Sequence, residues 1–236
     1  MKSNKEIVAI HQPNFFPWLG YFDKMIKSDI FVFMDNVQYT KGSWINRVKI
    51  INQGKPMWIT CPVSFNLGEA ISSVKISDKE WFSNKLIRTI NFNYSKAPFY
   101  EDIINIIHKM ILYKELNLSD YNMKIIKEIC NLLKIKTDFK LQSELKTEKS
   151  STDLLIEIVK SVSGNSYLCG GGATAYQEDL KFKEAGVELI YQNYKHPVYN
   201  QFNTSSFVPG LSIIDVLMNC GIEETKEMLY KSSNKS

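Results

Sequence analysis

Polar side chains able to contact a ligand follow the first apolar segment of the chain. His11, Gln12 and Asn14 come directly after residues 7–10, IVAI, which we predict to be a buried strand. A helix predicted to begin near Trp18 would direct its first backbone N–H groups at the same place, which suits a phosphate or a carboxylate. Ligands of open α/β sheets bind at the carboxyl ends of the strands. We therefore expect a small-molecule site in which His11 contacts a phosphate or the transition state; the alternative is a histidine that only shapes a turn.

A basic segment with an aromatic residue, KGSWINRVK (41–49), follows the second predicted strand. The candidate ligand contacts in and beside it are Gln38, Lys41, Trp44, Asn46, Arg47 and Lys49. Cations around an aromatic ring can hold a phosphate chain and stack on a base. The alternative is a solvated basic hairpin edge. The position of the segment after a strand end favours a role in binding.

A glycine turn, Gly170-Gly171-Gly172, precedes a predicted helix. Glycine lets backbone amides approach a ligand closely, so Gly171 and Gly172 are candidate anion contacts. The turn lacks the Lys and Ser/Thr of a Walker A loop and the pattern of a dinucleotide fingerprint. A tight, close-packed turn is the other interpretation.

A second polar cluster, His196 to Gln201, follows the last predicted strand. In parallel topology it would share the sheet edge with His11, and His196 is then a candidate general base with Tyr199 or Gln201 orienting the substrate. A turn held by His196 and Pro197 is the alternative. Asp215, a lone acid in an apolar helix, is as well explained by a structural pair with Arg47 or a lysine as by catalysis.

The elements that must position these residues alternate between strand and helix. Strand, helix and strand within residues 6–36 form a βαβ unit, whose strands are parallel. Residues 46–63 predict a hairpin around Gln53-Gly54-Lys55, and about 80–135 predict a helical insertion. The remaining predicted elements are a strand at 138–142, a polar loop at 144–151, a helix capped by Ser151 and Asp153 and running to about 162, a strand at 167–170, a helix at 174–185, a strand at 187–192, and helices at 212–219 and 223–231. We predict one α/β domain over 1–236, a Rossmann-like three-layer fold with a mostly parallel sheet.

Composition limits the class of protein. With 44% hydrophobic residues in 236, the chain can form a substantial core. A net charge of +4 permits an anionic ligand without indicating a nucleic-acid binder. The four cysteines show no metal-ligand spacing, so we expect reduced thiols and no metal site. Because there is neither an apolar leader nor a membrane-length apolar segment, we expect a cytoplasmic protein that makes no membrane contact.

Three segments of the sequence resemble the WbqC-like family: IHQPNFFPWLGYFDKM, DNVQYTKGSWINR and YKHPVYNQF…FVPGLSIIDVLMNCG. The resemblance covers nearly the whole chain. Family positions that match here are His11, Gln12, Pro13, Asn14, Pro17, Trp18, Gly20, Tyr21, Gln38, Ser43, Trp44, Asn46, Arg47, His196, Pro197, Tyr199, Gln201, Pro209, Ser212 and Asp215. Members of this family are associated with bacterial surface-polysaccharide (O-antigen) gene clusters.

That association implies an enzyme that forms an amide on a nucleotide-linked amino sugar by acyl or aminoacyl (for example glycyl) transfer. His11 or His196 would accept the proton of the amine, and Asn14, Gln12 or the Gly171 and Gly172 amides would hold the acyl oxygen. ATP with a free amino acid, an aminoacyl-tRNA (hence tRNA as a partner) and acyl-CoA all remain open as donors. The alternative function is a non-catalytic sugar-nucleotide-binding partner of a glycosyltransferase complex. A homo-oligomer is compatible with either.

Overall fold

The computed structural model describes residues 6–171 and 178–233. The strands in these ranges are β1 (Ile7–His11), β2 (Ile30–Phe33), β3 (Arg47–Asn52), β4 (Lys55–Thr60), β5 (Val63–Ser64), β6 (Lys75–Ile76), β7 (Asp138–Leu141), β8 (Ser166–Cys169) and β9 (Glu188–Tyr191). The α-helices are α1 (Leu19–Ile26), α2 (Lys79–Tyr94), α3 (Tyr100–Ile111), α4 (Leu118–Leu132), α5 (Ser151–Ser161), α6 (Asp179–Glu184) and α7 (Ile213–Ser233).

Five strands form one parallel sheet in the order β7-β2-β1-β8-β9. Numbered by their sequence order within this sheet, the strands run 3-2-1-4-5, the arrangement of a Rossmann-like fold. The chain first adds strands on one side of β1 and then crosses to add β8 and β9 on the other. The topological switch point therefore lies between β1 and β8. The predicted βαβ unit and the Rossmann-like α/β class are confirmed.

The strand side chains alternate between two hydrophobic clusters, one on each face of the sheet. Ala9, Phe31 and Phe33 belong to the larger cluster, which also contains buried residues of α1, α2, α3, α4 and α7. Val8 and Val32 belong to the smaller cluster with residues of α5. Successive residues of a strand point to opposite faces, so the apolar runs of β1 and β2 require helices on both sides. This packing gives the three predicted layers.

The predicted hairpin and helical segment are also present. Strands β3 and β4 pair antiparallel from Arg47 with Thr60 to Asn52 with Lys55. Helices α2, α3 and α4 occupy the segment predicted as a helical insertion. The pair β5–β6 was not predicted, because strands of two residues carry no periodic signal.

Three predicted helical segments have different ends in the structure. Helix α5 begins at Ser151 after Ser150, and no side chain makes a capping hydrogen bond there. The predicted helix at 174–185 corresponds to the shorter α6, and residues 172–177 lie outside the described part of the chain. The two predicted C-terminal helices are the halves of α7, separated by a kink at Gly221 with φ 69°. Among the helices described, none has the length and apolar character needed to cross a bilayer.

Candidate functional site

A cavity of about 840 Å³ lies at the carboxyl edge of the parallel sheet. It is lined by Ile10, His11, Gln12, Trp18, Gly20, Tyr21, Lys24, Met34, Val37, Ser151, Thr152, Leu154, Leu155, Tyr167, Gly170, Gly171, Gln192, Asn193 and Tyr194. These residues come from the ends of β1 and β8, from the segments after β2 and β9, from α1 and the residue before it, and from the start of α5. The cavity thus lies at the switch point between β1 and β8, where open α/β sheets bind ligands.

His11 is the last residue of β1 and lines this cavity. Its Nδ1 lies 3.1 Å from the carbonyl oxygen of Gln12. Because a carbonyl oxygen only accepts hydrogen bonds, Nδ1 carries the proton and Nε2 keeps its lone pair. Burial, and then the charge of Lys24, lower the pKa of His11 to about 3, so the ring is neutral at physiological pH.

Trp18 and Tyr21 form an aromatic wall beside His11. The Tyr21 ring centroid is 4.7 Å and the Trp18 centroid 5.9 Å from that of His11. The Tyr21 hydroxyl donates to the Gln12 carbonyl oxygen at 2.8 Å, which fixes the turn after β1. Gly20 gives this wall its close packing, since a Cβ there would lie 2.7 Å from the Tyr194 ring. All six of these residues line the cavity.

Lys24 is a cavity residue that sequence reasoning missed. Its side chain is 3% exposed, and its Nζ donates to the Ile10 carbonyl oxygen at 2.8 Å. Burial lowers its pKa to about 8, which leaves the amine mostly protonated at neutral pH. The sequence DKMIK gives no sign of this, because a lysine in a short amphipathic helix normally faces water.

The segment after β9 closes another side of the cavity. Gln192 donates to the Gly20 carbonyl oxygen at 2.7 Å and to Asp23 at 2.8 Å. Tyr194 lines the cavity, and its buried hydroxyl has no hydrogen-bond partner in the described structure. His196 packs edge-on against Tyr194 with centroids 4.9 Å apart, but it is exposed and does not line the cavity. The structure therefore places His196 behind Tyr194, not beside His11.

The glycine turn and the start of α5 complete the lining. Gly170 and Gly171 follow β8, and a Cβ at either would meet no described atom within 4 Å. Gly172 lies outside the described residues. The first turn of α5 lines the cavity with Ser151 and Thr152. Backbone amides at such a helix start are suited to a negatively charged group.

The basic segment predicted to clamp a phosphate does not line the cavity. Arg47 and Lys49 lie over the Trp58 ring at 4.3 and 4.9 Å from its centroid. Asn46 is buried and donates to the Cys61 carbonyl oxygen at 3.0 Å. Lys41 and Gln38 are exposed, and Gln38 forms an isolated bridge with Ala70. Trp44 does not line the cavity, but its ring packs against that of Trp18, which does; the two centroids are 5.2 Å apart.

The other residues predicted after β9 form a separate buried network. Asp215 accepts hydrogen bonds from the hydroxyls of Tyr199 and Tyr94, both at 2.8 Å. Gln201 donates to the Tyr199 hydroxyl at 3.2 Å and to the Val208 carbonyl oxygen at 2.8 Å. The predicted pairing of Asp215 with Arg47 or a lysine is wrong, because two tyrosines occupy both carboxylate oxygens. Burial raises the pKa of this carboxyl despite those bonds.

Of the predicted site residues, the structure brings His11, Gln12, Trp18, Tyr21 and Gly171 together in the cavity. Asn14 is 2% exposed and lies outside the lining. The residues that sequence reasoning missed are Lys24, Ser151, Thr152, Gln192 and Tyr194. Position after a strand end was the signal available for Gln192 and Tyr194.

No cysteine is among the described residues that line the cavity. All four cysteines are buried, and none forms a disulfide. Among the described residues, no group of three His, Cys, Asp or Glu side chains is placed to hold a metal ion.

Comparison with known proteins identifies the family. The profile of the WbqC-like protein family matches residues 12–227. The chain is 30% identical over 227 residues to the uncharacterized protein Rv1507c of Mycobacterium tuberculosis, covering 94% of this chain and 97% of that protein. No solved structure matches the chain with significance. The family match includes the segments that contribute Gln12 to Tyr21, Trp44 and Tyr194, and it begins one residue after His11; the chain belongs to the WbqC-like protein family.

Proposed function

We propose that the cavity is the active site of an enzyme that forms an amide on a nucleotide-linked amino sugar, by acyl or aminoacyl transfer, in surface-polysaccharide biosynthesis. The observation that carries the proposal is a neutral histidine next to a buried cation in one cavity. A neutral His11 can accept a proton, and Lys24 can attract a negatively charged substrate. The volume of about 840 Å³ lies in the range of small-molecule sites.

In the proposed reaction the sugar amine attacks the carbonyl carbon of an activated acyl donor. The new C–N bond forms, and the bond from the carbonyl carbon to the leaving group breaks. The amine proton passes to His11 Nε2 and then to the leaving group, which is the ribose oxygen of an aminoacyl-tRNA, the phosphate oxygen of an acyl adenylate made from ATP, or the thiol of CoA. Gln12 and the Gly171 amide line the cavity and are the candidate donors to the acyl oxygen.

The low basicity of His11 beside Lys24 fits a base that the substrate activates. The positive charge of Lys24 is one of the causes that hold its pKa down. A substrate anion beside Lys24 would offset that charge and raise the pKa of His11 towards the working range of a general base. His196 is exposed and outside the lining, so we assign the base to His11.

The test is mass spectrometry of dTDP-4-amino-4,6-dideoxyglucose incubated with the purified protein and glycine, with ATP or with glycyl-tRNA. A mass gain of one glycyl residue supports transfer, and the arm that shows it identifies the donor. We expect His11→Gln to lower the rate about 10²- to 10⁴-fold with little change in sugar-nucleotide affinity. His108→Gln is the matched control, because His108 bonds to Asn91 on another helix, away from the lining.

Two outcomes contradict the proposal in different ways. A His11→Gln variant with wild-type turnover shows that His11 is not the base. Binding of the sugar nucleotide without product from either donor or from an acyl-CoA favours the non-catalytic binding protein.

A further inference from the structure

Lys24 is a buried cation in the cavity, and none of the described carboxylates forms an ion pair with it. The ammonium has three N–H donors, and one hydrogen bond, to the Ile10 carbonyl oxygen, is formed within the described structure. The Tyr167 ring centroid is 5.8 Å from Nζ, at the far limit of a cation–π contact. No Asp or Glu of the described residues lies within 4.0 Å of it. The sequence has no acidic side chain in residues 1–5, 172–177 or 234–236 either.

The nearest acid in sequence, Asp23, is already engaged elsewhere. It pairs with Lys27 at 3.0 Å and accepts hydrogen bonds from Gln192 and Ser232 at 2.8 and 2.7 Å. Adjacent residues of a helix point about 100° apart, so Asp23 and Lys24 cannot serve each other.

A second lysine, Lys79, is half-buried and shows what a structural lysine looks like in this protein. Lys79 donates to Ser83 at 3.1 Å and to the Ile111 carbonyl oxygen at 2.8 Å. Its Nζ also lies 3.8 Å from the Tyr121 ring centroid. Lys79 thus has polar and aromatic partners on several sides. Lys24, in contrast, faces the cavity.

The residues around Lys24 offer further hydrogen-bond donors to a ligand. The buried hydroxyl of Tyr194, also on the cavity wall, has no partner among the described residues. The start of α5 has no capping side-chain hydrogen bond. The backbone of Gly170 and Gly171 is unobstructed on its Cβ side. Donors that several elements contribute to one cavity suit a phosphate, which presents acceptor oxygens in several directions, better than a flat carboxylate.

We propose that Lys24 binds a phosphate group of the ligand and is the phosphate-recognising cation of this cavity, in place of the basic segment 41–49. This rests on the proposed function, since it names the part of the sugar nucleotide that enters beside β1. The group recognised is then the diphosphate, and the sugar extends from it towards His11 and Gln12.

The experiment is isothermal titration calorimetry of the full chain with inorganic pyrophosphate, dTDP and thymidine. We expect Lys24→Met to weaken pyrophosphate and dTDP binding by about 10- to 100-fold, the range for a charge-assisted hydrogen bond. Thymidine, which has no phosphate, should bind both proteins equally or not at all. Lys109→Met removes one exposed lysine charge on α3 and is the matched control. Lys24→Gln, with circular dichroism of both variants, separates lost binding from lost folding.

Three results overturn this inference. One is dTDP or pyrophosphate binding that Lys24→Met and Lys24→Gln leave unchanged, or that Lys49→Met weakens instead. Another is no binding of either phosphate probe to the wild-type protein. The third is malonate binding more tightly than pyrophosphate in a Lys24-dependent manner, which assigns the site to carboxylates. The calorimetry measures binding and does not depend on turnover. Lys24-dependent dTDP binding, together with no product in the mass-spectrometry assay, would therefore support this inference and contradict the transferase.

Discussion

His11 and Lys24 share one cavity, and burial disfavours the charged form of each. Burial is the largest cause of the lowered pKa of both residues, and the Lys24 charge adds to the effect on His11. Two buried groups that resist protonation do not stabilise the fold through their charges. Under the proposed function, a negatively charged ligand would offset this electrostatic cost when it binds.

The pKa of His11 predicts how stability depends on pH. Its folded value is about 3 and its ordinary value 6.5, so the unfolded chain takes up the proton first as pH falls. The stability associated with neutral His11 is present above pH 6.5 and is lost as pH falls from there towards 3, by at most about 1.4 kcal/mol per pH unit.

The measurement is urea unfolding of wild-type protein and His11→Gln between pH 7.5 and about 4.5. The difference in free energy of unfolding should shift in favour of the variant as pH falls. An identical pH dependence in both proteins would show that His11 keeps its ordinary pKa in the folded state, which contradicts the prediction. His196→Gln measures how much an exposed histidine contributes to the same curve.

At the scale of elements, Asp215 joins three parts of the fold. It lies in the first turn of α7 and accepts from Tyr94 at the end of α2 and from Tyr199 in the segment after β9. The Tyr94 hydroxyl in turn accepts from the Ile51 backbone N–H of β3 at 3.2 Å. These bonds draw the residues after Tyr194 away from the cavity and explain why Tyr199 and Gln201 are not at the site.

We expect Asp215→Ala to lower the free energy of unfolding by about 3 kcal/mol, because it leaves two buried tyrosine hydroxyls without their acceptor. Asp215→Asn keeps the shape and one acceptor oxygen, so its loss should be less than half as large. Chemical denaturation measures both, with Tyr199→Phe as the single-bond control. If Asp215→Asn folds with wild-type stability yet loses pyrophosphate binding, Asp215 belongs to the ligand site and not to the scaffold.

Local signals in the sequence were sufficient for most elements and for part of the site. The buried strands β1 and β2, the hairpin and the helices at 79–132 follow from periodicity and turn residues. His11, Gln12 and Gly171 follow from their positions after strand ends. Lys24 could not be predicted, because its burial depends on packing of α1 against distant elements. The direction of the chain after Tyr194 depends on Asp215, and that is also a long-range contact.

At the scale of the whole molecule, one cluster of buried side chains connects the sheet to the helical segment. It contains Phe31 and Phe33 of β2 together with Ile103 of α3 and Ile125 and Ile126 of α4. An inserted subdomain with its own core would have a cluster of its own. The second described cluster lies on the opposite face of the same sheet, so both depend on the strands. We therefore expect the described part of the chain to unfold as one cooperative unit.

Cooperative unfolding is tested with a core substitution in the helical segment, and unfolding is followed by spectroscopic probes in other parts of the fold. Ile126→Ala, at a position 0% exposed, should cost about 2–5 kcal/mol. The fluorescence is measured in a Trp81→Phe background, because Trp81 lies in α2, and it then reports on Trp18, Trp44 and Trp58. If the molecule is one unit, the denaturation midpoint should fall equally by far-UV circular dichroism and by this fluorescence. Saturating dTDP should raise both midpoints together, since a ligand that binds only the folded state stabilises everything coupled to its site. Separate transitions, with the tryptophan signal unmoved by Ile126→Ala, would show instead that the helices at 79–132 fold independently of the cavity.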